Sequence, residues 1–300
     1  MWLVFAFMGP VSWAVSTHID KYLISRYFRD SDTAVLMLFT ALVGIAALPV
    51  IWFFEPAVFS SSWRAIAVMT VAGVMYIASM LFYLRAIQSE EASVVAPLFQ
   101  LTTIFSFLLA WVTLGETLTL RAGAGAVLII AGVLFLSLDN NLRFAGIKPK
   151  VVLGMVVCTL ILALANVLFK FYAVREDFWV TTFWTFVGEA LFGLALLCLA
   201  RYRRQFISLI RSHPGALLGV NGANEIINLG GGLAVRYAMM LAPVALVSAI
   251  ASTTTLFVFA FGSFLTIVAP RYGREDVSRS SLLRKAVAAV VVSAGVFLAS

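Results

Sequence analysis

The sequence predicts an all-α integral membrane protein of ten transmembrane helices in two inverted five-helix repeats. Three observations carry this. The chain of 300 residues is 62% hydrophobic and only 12% charged, where a soluble domain carries about 25% charged residues. Its apolar residues fall into ten runs, each near the roughly 20 residues that a bilayer-spanning helix needs. Short anchors also recur in the same order in both halves.

The composition excludes several classes. Fourteen acidic and 21 basic residues cannot supply the polar exterior of a soluble domain this size, so the apolar surface faces lipid. The formal charge of +7 does not mark a nucleic-acid binder, because the basic residues sit in short loops between apolar runs, as membrane orientation requires. Cys158 and Cys198 both lie inside apolar segments and read as small core residues. The first 16 residues are apolar but lack a basic start and a small-x-small cleavage site. They read as a retained first helix.

The segments run over about 2–24, 33–53, 64–86, 92–114, 119–138, 151–173, 178–200, 215–238, 242–268 and 283–300. Charges, Pro and Gly punctuate them at Arg29-Asp30-Ser31-Asp32, Glu55-Pro56, Glu90-Glu91, Gly115-Glu116, 139–150, Arg175-Glu176-Asp177, 201–214 and 270–281. In hydrocarbon the backbone must satisfy its own polar groups, so the runs are helices, with loops between them. Residues 85–98 (RAIQSEEASVVAPL) align without gaps to 236–249 (RYAMMLAPVALVSA). Ala131-Gly132-Val133 recurs as Ala294-Gly295-Val296, and Lys21 and Gly44 correspond to Lys170 and Gly193 at one offset. The repeats are therefore 1–138 and 151–300, joined by a linker at 139–150. Five helices per repeat is an odd number, so the second copy inserts upside down, and a substrate site is expected near the midplane between the copies.

Leu114-Gly115-Glu116, Arg121 and residues 125–138 (GAVLIIAGVLFLSL), preceded by Arg85-Ala86-Ile87 and Pro97, resemble an EamA domain of the drug/metabolite transporter superfamily. The resemblance covers the chain as two domains. It is looser in the second, where Gly273-Arg274-Glu275 stands in a longer loop instead of a Gly-Glu pair directly after the ninth segment. It implies a ten-helix transporter of small metabolites or drugs, often an exporter, with cytoplasmic termini. The charge count points the other way. Loops one, three, five, seven and nine hold 16 of the 21 Lys and Arg residues, and the positive-inside rule puts them in the cytoplasm and both termini outside.

Polar side chains within the bilayer are costly when unpaired. In the 215–238 segment, Asn221, Asn224, Glu225 and Asn228 follow i, i+3, i+4, i+7 spacing and lie within an arc of about 100°. Such a stripe lines a pathway, with amides reading a polar solute and Glu225 holding a cation or proton; interhelical glue is the plainer alternative. Gly230, Gly231 and Gly232 either unwind the helix or permit close packing. Glu189, with Thr182 and Thr185 on its face, is a proton site or a structural partner of Lys170. Asn166 and Lys170 share a face, where Lys170 lines the pathway or snorkels to headgroups. His18 is a pH-sensitive pathway residue or an interfacial one; Asp20 and Lys21 read as solvated boundary charges. Gln100, near Pro97, marks a kink beside the cavity or makes a packing hydrogen bond. Tyr76, Ser79 and Tyr83, and likewise Ser248, Ser252 and Thr255, form stripes that read as packing. Glu116 matches the loop glutamate of the family that the chain resembles, and its position at a helix N-terminus suits a structural dipole role equally well. The run 123–126 (GAGA) lacks the context of a nucleotide loop and reads as close helix packing.

The candidate pathway residues are thus Asn221, Asn224, Glu225, Asn228, Glu189, Asn166, Lys170, Gln100 and His18. No catalytic or metal-binding residue and no cofactor is expected. With two histidines and no H-E-x-x-H, G-x-S-x-G or phosphate loop, a membrane-embedded enzyme is disfavoured. A flippase for a lipid-linked substrate would want cations for the phosphate, whereas the intramembrane groups are amides and carboxylates. The expected function is a multi-pass secondary transporter of the plasma (inner) membrane. It would export a small neutral or cationic solute by alternating access, with protons as candidate coupling ions and membrane lipid as its surroundings.

Overall fold

The computed structural model describes residues 1–28, 32, 34–89, 98–136, 148–268 and 278–299, and all the regular structure among them is helical. The first half contributes α1 (Trp2–Tyr27), α2 (Ala34–Phe54), a 3-10 turn (Pro56–Phe59), α3 (Trp63–Ser89), α4 (Leu101–Leu114) and α5 (Leu120–Leu136). The second contributes α6 (Pro149–Ala173), α7 (Phe178–Cys198), α8 (Ala200–Ser212), a π-helical segment (Gly215–Asn221), α9 (Gly222–Leu241), α10 (Val244–Ala251), α11 (Thr254–Val268) and α12 (Arg279–Ala299). The predicted loop residues Glu90, Glu91, Pro97 and Gly273-Arg274-Glu275 lie outside the described residues.

Local chemistry sets the boundaries. Asp177 accepts from the Trp179 and Val180 amides at 2.6 and 3.2 Å, capping the N-terminus of α7. Pro149 occupies the first turn of α6, where its missing N–H costs nothing. Gly115, at φ 65°, ends α4 in the left-handed conformation that favours glycine.

Seven helical spans are long and apolar enough to cross a membrane: Trp2–Leu23, Ala34–Phe54, Trp63–Ala86, Pro149–Ala173, Phe178–Cys198, Val244–Val268 and Arg279–Ala299. Leu101–Leu114 and Leu120–Phe135 are apolar but shorter. Among the described residues α9 falls outside this set, because the polar stripe expected to make it functional also lowers its hydropathy. Trp52, Phe53, Phe54, Phe59 and Trp63 cluster, exposed, around the α2–α3 turn, as aromatic residues do at a membrane–water boundary.

Two expectations require correction. Residues 201–214 are not a loop, since they hold all but the first residue of α8 and run up to the π segment. Arg201, Arg203, Arg204 and Arg211 of α8 point outward, while Phe206 and Leu209 are buried against Leu23, Phe39 and Leu217. That two-faced pattern suits an interfacial helix better than a spanning one. The segment 242–268 is not one continuous helix. It breaks at Ser252-Thr253 between α10 and α11, where the Ser252 and Thr254 hydroxyls donate to the Ala249 and Ala251 carbonyls at 2.6 and 2.7 Å and compete with the helical ladder.

Small residues bring helices together. A methyl group on Gly125 would lie 2.6 Å from the Gly295 carbonyl oxygen, so the backbones of α5 and α12 touch, as the GAGA run anticipates. Across the α3–α7 seam, a methyl on Gly73 would collide with the Thr185 carbonyl and one on Gly188 with the Thr70 carbonyl. Gly231 packs on Gly9 and Ser12 of α1, and α9 stays helical through Gly230, Gly231 and Gly232, so close packing is the role of Gly231, while a methyl on Gly230 or Gly232 would meet open space.

Candidate functional site

The polar stripe is split by the change of helix type. Asn221 ends the π segment, and Asn224, Glu225 and Asn228 follow on α9. π turns are rare and concentrate at functional sites. Asn221, Asn224 and Glu225 are buried. Thr40 of α2 donates to Glu225 Oε1 at 3.2 Å, and Asn228 hydrogen-bonds the same carboxyl group. Among the described residues no basic side chain forms an ion pair with Glu225. Asn224 Nδ2 turns the other way and donates to Asp20 Oδ1 of α1 at 2.7 Å.

Further along α9, Arg236 Nη2 donates to Glu189 Oε1 of α7 at 2.8 Å, with the side chains 9% and 4% exposed. The guanidinium lies 4.8, 5.3 and 5.5 Å from the ring centroids of Tyr76, Phe169 and Phe186. An ion pair taken this far out of water survives only with close geometry and further support for the cation. The three aromatic faces supply that support.

Between these features lies a cavity with about 40 Å³ of room for the centres of water-sized spheres. Its polar lining is Thr40, Tyr76, Glu189, Glu225, Asn228 and Arg236. One water needs about 10–15 Å³ by this measure, so the cavity holds a few waters or a small ion, and a metabolite requires it to widen. Its walls come from α2 and α3 of the first half and α7 and α9 of the second.

The structure divides the predicted residues. Glu189, Glu225 and Asn228 line the cavity, whereas Asn221 and Asn224 are buried outside its lining. Lys170 neither snorkels nor pairs with Glu189. It forms an ion pair with Glu116 and donates to the Ala242 carbonyl at 2.7 Å. Glu116 in turn accepts from the Val244 amide at 2.9 Å, so it caps α10 of the second half. Asp20 is no solvated boundary charge, because it is bonded to Asn224 between α1 and α9. The His18 imidazole meets the Val258 carbonyl at 3.0 Å, a contact that ties α1 to α11. Gln100 is buried at the turn before α4, and Asn166 is half-buried on α6. Neither belongs to the lining of the cavity. Thr40, Tyr76 and Arg236 were missed as lining residues. Arg236 carried a signal, being a charge near the end of an apolar run, but the repeat alignment absorbed it. Thr40 is a lone hydroxyl in an apolar segment and gave none.

Comparison with known proteins bears on the first half directly. Residues 1–138 match the EamA-like transporter family. They form an EamA domain of the drug/metabolite transporter superfamily. This match, with the apolar spans among the described residues, supports a multi-pass membrane protein of the transporter type. One solved structure, described only as "Crystal structure of protein", matches with a TM-score of 0.66 at 15% identity, over 99% of this chain and 95% of that one. At such identity the likeness speaks for the fold. No curated protein matches the chain. The EamA match ends at residue 138, where the predicted linker begins, and the cavity is shared between the EamA half and the helices that follow.

Proposed function

We propose that this protein is a secondary transporter of the plasma (inner) membrane that exports a small, neutral or cationic polar solute by alternating access between two inverted repeats, 1–138 and 151–300. Glu225 carries the reading. Among the described residues it is a buried carboxylate bonded to neutral partners alone, Thr40 and Asn228, in a cavity walled by both halves. An ionised carboxylate in the bilayer is costly unless water, a cation or a basic partner meets it. Glu189 has such a partner in Arg236; Glu225 is open to a proton or to the cationic group of a solute. With Arg236 neutralised, the cavity offers no spare positive charge for a phosphate, which argues against a flippase for a phosphorylated lipid.

The packing supports two inverted copies. An offset of 149 residues takes Lys21 to Lys170, and one of 151 takes Arg85 to Arg236. Under these offsets the α6–α3 contact, in which the Cys158 thiol donates to the Ser79 carbonyl at 3.2 Å, corresponds to Gly9 against Gly230. The α1–α9 pair has its close contact at Gly9 and Gly231, one residue away. Tight seams and a small cavity fit a closed intermediate from which either side opens.

Uptake by proteoliposomes containing the purified protein, with and without an imposed pH gradient, tests the proposal. Gradient-driven flux of a cationic or neutral metabolite that disappears in Glu225→Gln is the expected result. Normal transport by Glu225→Gln at every pH would reduce the stripe to interhelical glue.

A further inference from the structure

We propose that Asp20, Asn221 and Asn224 form a second site, beside the Glu225 cavity, that binds a sodium-sized monovalent cation. The inference rests on the transporter reading, for which it names a coupling ion, but its physical basis is separate. Asn221 is fully buried, and neither Oδ1 nor Nδ2 of its amide has a hydrogen-bond partner among the described residues. Asn224 is 1% exposed and its Oδ1 is likewise unpartnered, although its Nδ2 is committed to Asp20 at 2.7 Å. Buried polar atoms left without partners cost about 1–3 kcal/mol each, and native structures rarely carry them without a ligand, ion or water to serve them. Here they occur together, three residues apart where the π segment passes into α9, beside a carboxylate that Ser16 also hydrogen-bonds.

The donor chemistry narrows the occupant. Two amide oxygens and one carboxylate are hard oxygen ligands, the type that alkali and alkaline-earth cations prefer. A single carboxylate suits one positive charge. Among the described residues no three His, Cys, Asp or Glu side chains converge in a cluster able to hold a metal ion, which removes the donor set of a transition metal. A proton on Asp20 would leave the Asn221 amide unserved, whereas a cation uses amide oxygens directly. Asp20 and Glu225 are close enough for their charges to interact, and a cation bound at Asp20 relieves that repulsion. The π segment, which ends at Asn221, adds an irregular backbone turn of the kind that membrane transporters place at ion sites. Asp20 bonds Asn224 across the α1–α9 seam, so an ion held there would draw the two halves together.

Thermal unfolding of the full-length protein in detergent tests the site, with sodium chloride exchanged for potassium or choline chloride at constant ionic strength. Saturable stabilisation by sodium alone is expected. Asp20→Asn should raise the sodium concentration for half-effect by about tenfold or more, as loss of a metal-site partner does. If Asp20→Asn fails to fold, Asn221→Leu decides the matter. It removes a buried amide whose two polar atoms have no partner among the described residues, so the variant should be at least as stable as the parent without sodium and should lose the sodium response. Equal stabilisation by potassium or choline overturns the proposal. So does no stabilisation, or a sodium response unchanged in Asn221→Leu. Because the readout is binding, a failed transport assay leaves this site standing, and absence of sodium binding leaves the Glu225 proposal standing.

Discussion

Replacing Glu189 by glutamine strands Arg236 in the protein interior, and the structure sets the size of the penalty. The two side chains are 4% and 9% exposed and meet at 2.8 Å, so water cannot take over from the lost carboxylate. Removing one partner of such a pair costs about 3–5 kcal/mol, mostly from the charge left behind. The aromatic faces of Tyr76, Phe169 and Phe186 remain within 4.8–5.5 Å of the guanidinium, and each cation–π contact retains about 0.5–2 kcal/mol. The loss should therefore fall at the lower end, about 3 kcal/mol. Arg236→Gln should cost a similar amount by stranding Glu189. The double variant strands neither, and should be more stable than the sum of the single losses by about 2 kcal/mol. Denaturation by titrating SDS into mixed micelles measures all four proteins. Additive losses, or a Glu189→Gln penalty below about 0.5 kcal/mol, would refute the view that this pair is a structural unit.

Asn228→Ala should weaken apparent solute affinity in proteoliposomes while leaving any dependence on a pH gradient intact, because Asn228 lines the cavity without carrying charge. Gly188→Ala places a methyl against the Thr70 carbonyl and should cost about 1–3 kcal/mol by overpacking; thiol accessibility of cysteines placed along α3 should rise as the seam parts. Glu116→Ala removes both the partner of Lys170 and the acceptor of the Val244 amide, and should destabilise the protein by about 3 kcal/mol in the SDS titration, with Glu116→Gln retaining part of the cap. A single cysteine in α8 should be shielded from an impermeant thiol reagent in intact cells if the arginine-rich loops are cytoplasmic; labelling from outside would restore the orientation that the family resemblance implies.

The membrane class and most helices were legible because hydropathy is a property of long runs, and the bilayer imposes one length on all of them. The stripe on α9 was legible for a related reason: four polar groups on one face stand out where nearly every other residue is apolar. Pairing between distant helices was not legible. Lys170 was matched with Glu189 because both are charges in neighbouring segments, yet Lys170 reaches Glu116, and Glu189 reaches Arg236 across to α9. Sequence spacing reports which residues share a face on one helix but not which face of another helix they meet. Asp20 was misread because two residues of separation from His18 and one from Lys21 suggested a boundary cluster. Its partner, Asn224, lies 204 residues away. The amphipathic α8 was hidden by its charge, since four arginines in 13 residues read as a loop unless the alternating burial of Phe206 and Leu209 is known.

Four of the six charged groups in these pairings make their contacts between the two halves. Lys170 meets Glu116, Asp20 meets Asn224, and Glu225 meets Thr40, each across the boundary between residues 1–138 and 151–300. Glu189–Arg236 is the exception, lying within the second half, and it is also the best buried and best surrounded pair. That distribution has a mechanical consequence if the halves move against each other. A contact within one half travels with it and can be made as strong as packing allows. Apart from Lys170–Glu116, the contacts between halves are bonds to neutral groups such as Thr40 and Asn224, which break in each cycle at less cost than a fully desolvated ion pair, whose rupture would add about 3–5 kcal/mol to the barrier. Glu225 and Asp20 then remain available to exchange neutral partners for a proton, a cation or a solute, while Glu189 and Arg236 hold α7 to α9 as one rigid wall of the cavity.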